Sequence, residues 1–83
     1  VTQWKPDTPR WVQIYEIIKE RIETGVYQPG DQLPSVLKIQ EEFGVATATG
    51  QKVLHQLRKD GLSYTEPGMG TFVKQRSPGE AHP

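Results

Sequence analysis

Glycine and proline divide this chain into short segments, and that punctuation limits the folds open to it. Thr8-Pro9 reads as an N-cap followed by proline at the first helical position, where a missing N–H costs nothing. Ile14, Ile18 and Ile22 then recur every fourth residue with Trp11 and Ile17 beside them, which predicts an amphipathic first helix stopping at Gly25. Such a stripe is ordinary core packing. Pro29-Gly30 marks a turn, Pro34 is excluded from a helix interior, and Ser35 caps a short helix from Val36 to Phe43. Val36, Ile39 and Phe43 face inward on it. Gly44 makes a tight bend, Val45 returns to the core, and a third helix runs from about Thr47 to Asp60 with Gly61 just past its end. Beyond it, "LSYT" and "TFVKQ" favour strands and "EPGMG" joins them as a hairpin. The expected class is mainly α with a small β-hairpin: three helices plus a wing, a winged helix-turn-helix. Residues 1–8 read as a flexible arm, 9–75 as the domain and 76–83 as a mobile linker-like tail.

Eighty-three residues support one thin core and little room for a separate ligand-binding unit. Three short helices and a hairpin are expected to leave no cavity of the roughly 300 Å³ that small ligands prefer, so no small-molecule effector is expected to bind this chain. There is no cysteine, which removes disulfides, thiolate zinc sites and thiol nucleophiles together. No apolar run approaches the roughly 18 residues of a membrane span, so a soluble, cytoplasmic chain is expected. Ten Lys and Arg balance ten Asp and Glu, which counts mildly against a polyanion partner. The distribution is uneven, however. Pro34 to Arg76 holds six bases against four acids, and Val1 to Leu33 four against five. Any positive field belongs to the second half.

The third helix carries the most information. At roughly 100° per residue, Thr47, Ala48, Gln51, Lys52, His55, Arg58 and Lys59 share one arc, while Gly50, Val53, Leu54 and Leu57 share the opposite one. An outward arc of amide, hydroxyl and cationic groups suits a major groove, where glutamine pairs bidentately with adenine and small side chains meet the thymine methyl. Thr49 adds a further hydroxyl. A merely solvated polar face is the bland reading of the same pattern. Gln40 and Gly50 fall where the second and third helices cross, and the large Gln40 is expected to lie over the gap at Gly50.

"GVYQPGDQLPS", "EEFGV", "LRKDGL" and "GMGTFV" occur here in order. Together they resemble the DNA-binding domain of the GntR family of bacterial transcription regulators, over roughly Trp11 to Val73. The resemblance implies a sequence-specific double-stranded DNA-binding regulator, a repressor, with the third helix in the major groove and the wing at the minor groove. It further implies a palindromic operator, a homodimer on DNA, and a cytoplasmic location at the nucleoid when bound. The chain departs from the family's pattern at Leu37, Thr47 and Gln51, where arginine is usual. Ala46 stands where the family has a serine cap, and Met69 replaces a polar wing residue. Arginine–guanine contacts from those positions are therefore absent.

On this reading Thr47, Ala48 and Gln51 meet bases. Ser35, Thr49, Lys52 and the wing, with Gly68, Met69 and Gly70 at its tip, meet the backbone, and His55 and Arg58 lie on the same helical face. Met69 is placed to press on a base step or sugar edge. A winged helix used as a protein-binding module is the alternative, since neutral charge and missing arginines fit it too. An enzyme is disfavoured, because His55 has Gln51, Arg58 and Lys59 as helical neighbours and no carboxylate or nucleophile in register. His55 and His82 alone make no metal site, and no cofactor motif is present. Whether the chain stands alone or forms the DNA-binding part of a longer regulator stays open.

Overall fold

Five elements follow in the order that the punctuation sets: α1 (Arg10–Glu23), α2 (Val36–Phe43), α3 (Thr47–Lys59), β1 (Ser63–Glu66) and β2 (Gly70–Val73). They come from a computed structural model that describes residues 4–74. The tail assigned to 76–83, with Arg76 and His82, lies outside the described residues. Ile14 and Ile18 of α1, Ile39 and Phe43 of α2, and Val53 and Leu57 of α3 close one core, sealed by Leu33, Leu62 and Val73. Tyr15 is buried with them.

Of the three helix starts, only that of α2 carries a side-chain cap. The Ser35 hydroxyl accepts the Lys38 N–H at 3.2 Å, capping α2 as expected, and Gly44 ends that helix at φ +66, a left-handed conformation. At α1, Pro9 rather than Thr8 is the capping residue, and no side chain caps it. The Pro9 carbonyl accepts from Val12 and Gln13, the first bonds of the helix, and the ring's fixed φ suits the entry to it. Ala46 opens α3 with no side-chain cap, forgoing about 1 kcal/mol.

Residues 4–8, part of the segment read as a flexible arm, lie against α1. Gln13 is buried, and its amide oxygen accepts the Lys5 N–H at 2.8 Å while its amide nitrogen donates to the Thr8 carbonyl at 2.8 Å. The Trp4 ring sits 6.5 Å from Phe43. A buried amide must satisfy its polar atoms, and here the arm's backbone does so.

The hairpin pairs Ser63 with Val73, Tyr64 with Phe72, Thr65 with Thr71 and Glu66 with Gly70. Its outer edge is covered by the connection between α1 and α2. The Leu33 N–H donates to Thr71 O at 2.8 Å, and the Val73 N–H to Asp31 O at 2.8 Å. The segment that reads as a turn thus also contributes a single bridge on the outer side of β2, with Gln32 opposite Phe72. This shields an otherwise open strand edge and ties the wing to the start of α2.

Candidate nucleic-acid interface

α3 separates its faces as the periodicity requires. Gly50, Val53 and Leu57 are buried, whereas Thr47, Ala48, Gln51, Lys52, His55 and Arg58 are exposed. Thr49 is half-buried at the margin and less open than the outward arc suggests. Gly50 lets α3 approach α2. A Cβ there would lie 3.2 Å from Val36 Cγ1 and 3.6 Å from Ile39 Cγ2. The gap at the crossing is therefore filled by Val36 and Ile39, not by Gln40. One turn of α2 separates Gln40 from Val36, enough to take its side chain off the line of approach.

The wing tip is held by a residue that the sequence does not single out. Gln32 Nε2 donates to the Met69 carbonyl at 2.9 Å. Gly70, at φ +120, leaves room for that amide: a Cβ would stand 2.6 Å from Gln32 Nε2. Met69 itself is 67% exposed at the tip, and Gly68 is exposed beside it. Only the long-range bridge between residues 31–33 and β2 brings Gln32 here, so no local pattern signals it.

Several cations are already engaged. Lys52 Nζ lies 5.2 Å from the centre of the Trp11 ring, a cation–π contact that leans it toward α1. Arg58 Nη2 and His55 Nδ1 approach to 3.4 Å along α3. Arg21 forms a bidentate pair with Glu42 at 2.6 and 3.3 Å and donates to the Tyr27 hydroxyl at 2.9 Å. Among the described residues this is the only ion pair. The Glu42 hydrogen bonds raise the Arg21 pKa further, and the arginine fastens the end of α1 to the end of α2. At the far end of α3, the Tyr15 hydroxyl donates to Asp60 Oδ2, and Gln56 Nε2 donates to Asp60 Oδ1 at 3.0 Å. Burial and that bond push the Tyr15 pKa up to about 12, while the tyrosine hydrogen bond holds the Asp60 carboxyl below its usual value.

Ser35 is exposed, and its oxygen is used as a cap acceptor while its hydroxyl proton stays available to a ligand. It lines a cleft of about 370 Å³ with Tyr27 and Lys38. A second cleft of about 300 Å³ lies between α3 and the hairpin. It brings Gln51, His55 and Arg58 together with Thr65 and Thr71, two hydroxyls that the sequence reading missed. A third, of about 540 Å³, follows α1 from Lys5 to Glu23. The expectation that no space of roughly 300 Å³ exists is thus wrong in size. Docking the arm across α1 and the wing beside α3 builds walls that a count of elements does not anticipate. Among the described residues, no group of histidines and carboxylates is arranged to hold a metal ion, and no helix is long and apolar enough to cross a membrane.

Residues 11–73 match the model of the family described as bacterial regulatory proteins, gntR family. The chain is 39% identical over 67 residues to the mannosyl-D-glycerate transport/metabolism system repressor MngR of Escherichia coli, covering 81% of this chain and 28% of that protein. Identity and coverage are the same against the transcriptional repressor NagR of Bacillus subtilis. The chain therefore spans under a third of the length of these relatives. Among solved structures, a GntR-family transcriptional regulator from Listeria monocytogenes superposes with a TM-score of 0.83 at 29% identity, over 88% of this chain and 64% of that one. The AraR DNA-binding domain in complex with operator ORX1 gives 0.78 at 30% identity, over 87% and 92%. With three helices, a two-stranded wing and a match running through all of them, the chain belongs to the GntR family of bacterial regulatory proteins.

Proposed function

We propose that this domain binds double-stranded operator DNA sequence-selectively and serves transcription regulation, as a repressor. The observation that carries the reading is the outer face of α3: exposed, free of carboxylates from Thr47 to Lys59, and set beside a wing whose tip is held out by Gln32. The AraR domain of the same fold is described in complex with operator DNA, and MngR and NagR are described as repressors, which supports both halves of the proposal.

In this reading α3 lies in the major groove, with Gln51 pairing to adenine and Thr47 and Ala48 against neighbouring base edges. Thr49, Lys52 and Arg58 meet phosphates, Ser35 donates its hydroxyl to another, and His55 stands beside Arg58. Gly68, Met69 and Gly70 carry the wing to the minor groove, where Met69 presses on a sugar edge or base step. Two copies on a palindromic site supply the affinity that one domain with few cations lacks. The site of action is the bacterial cytoplasm, at the nucleoid.

Selection of bound sequences from random duplexes, followed by titration at several salt concentrations, tests this directly. A defined motif and a log-affinity against log-salt slope of about −3 to −4 per monomer are expected. Affinity indifferent to salt, with no motif enriched, would move the assignment to a protein-binding module.

A further inference from the structure

We propose that the cleft between α3 and the hairpin is a phosphate-binding site that seats one backbone phosphodiester through Arg58, Thr65 and Thr71. This rests on the DNA-binding reading above and gives one strand of the duplex a specific seat. Thr65 and Thr71 are directly opposite each other in the hairpin register, so their side chains leave the same face of the sheet. Ser63 and Val73, two residues away on each strand, share that face and are buried in the core. Moving outward, Thr71 is half-buried and Thr65 exposed. The face that packs as core near the helices thus turns into paired hydroxyls where it borders the cleft.

The opposite wall completes the donor set. Gln51, His55 and Arg58 recur on α3 at helical spacing and line the same space. His55 Nδ1 lies 3.4 Å from Arg58 Nη2, so the imidazole can accept from the guanidinium and orient its remaining N–H groups. No carboxylate lines this cleft, whereas the cleft along α1 is lined by Glu16, Glu20 and Glu23. Glu66, the next residue on β1, projects from the other face by alternation, and Asp60 is occupied by Tyr15 and Gln56. A guanidinium fork and two hydroxyls, unopposed by acids, match the oxygens of a phosphodiester. The volume of about 300 Å³ accommodates it with parts of the flanking sugars. Geometry supplies the strand: a helix in the major groove and a wing in the adjoining minor groove straddle one sugar–phosphate backbone.

The test neutralises one phosphate at a time with methylphosphonate in the selected duplex. Wild type is expected to lose about tenfold in affinity at one phosphate in each half-site. Arg58→Ala and the double variant Thr65→Val/Thr71→Val should lose a similar factor on the natural duplex and be insensitive to that substitution. Thr65→Ser/Thr71→Ser, which keeps the hydroxyls, should restore both affinity and sensitivity. Thermal unfolding of each variant separates lost contacts from lost fold. Sensitivity at the same phosphates in wild type and all variants overturns the cleft assignment while leaving DNA binding intact. Absence of any salt-dependent duplex binding by wild type overturns both. Inorganic phosphate should compete only as general salt; saturable displacement that Arg58→Ala abolishes would assign the cleft to a free anion and overturn the backbone assignment.

Discussion

The inner face of α3 turns Gly50, Val53 and Leu57 against the other helices, and the outer face holds Gln51, Lys52, His55 and Arg58 in solvent. On the inner face shape decides: Gly50 is there because Val36 and Ile39 come within 3.2 and 3.6 Å of its missing Cβ. On the outer face the donors and charges that can reach a ligand decide, and nothing in the fold requires glutamine at 51. One helix therefore carries two kinds of constraint on opposite sides. Substitutions should divide the same way, into those that cost stability and those that cost binding.

The sharpest way to break this division is Gly50→Val. It should overpack the crossing and destabilise the domain by about 1–3 kcal/mol in chemical denaturation. Base preference should be unchanged where the protein stays folded. Val36→Ala should recover most of that loss in the double variant, and Gln40→Ala should recover little. Recovery by Gln40→Ala instead would put the shared space under the wrong residue.

On the outer face, Gln51→Ala is expected to leave the melting temperature nearly unchanged. Preference at one base pair of the selected site should fall by about 1–3 kcal/mol, read by competition between single-base variants. A uniform loss across all sequences would make Gln51 a backbone contact.

Lys52 tests the border between the faces, because it is exposed yet leans on Trp11. Lys52→Ala should weaken binding to every sequence and flatten the salt slope by about one unit. If the stack holds the ammonium toward the backbone, Trp11→Leu should reduce affinity with little change in slope. A slope untouched by Lys52→Ala would confine the lysine to packing on Trp11.

The smallest effect is expected at the Tyr15–Asp60 clamp. A tyrosine whose pKa rises on folding contributes stability that is complete below pH 10 and is lost as pH climbs toward about 12. A carboxylate held low works in reverse: its contribution is complete above the ordinary carboxylate range and disappears as acid titrates it in the fold. Tyr15→Phe should remove the alkaline loss and shallow the acid one, as followed by melting temperature against pH. An unchanged profile at both ends would show that the bond contributes nothing to folding.

Much of this architecture was legible before any coordinates. Pro34 and Ser35 placed the start of α2, Gly44 and Gly61 the helix ends, and the wheel of α3 sorted buried from exposed, with Thr49, Leu54 and Gln56 half-buried at the margin. Each rests on a rule acting within about one helical turn: a missing N–H, a capping oxygen, a tolerated φ, a period near 3.6. The outward residue types and the wing followed from the same local rules. Pro9 shows their limit, since the cap there could move by one residue without changing any pattern.

What lay beyond the sequence joins residues far apart in the chain. Gln13 clamps the arm, Gln32 reaches the Met69 carbonyl, Tyr15 meets Asp60, and Thr65 and Thr71 face Arg58 across a cleft. Local rules determined which segments are helix and strand, which side of each is apolar, and what chemistry the outer face of α3 offers. Only the tertiary structure decided who fills the space over Gly50, how the wing is aimed and which donors converge. Packing distances and long-range hydrogen bonds depend on how finished elements dock, and docking leaves no period or spacing in the chain to be read.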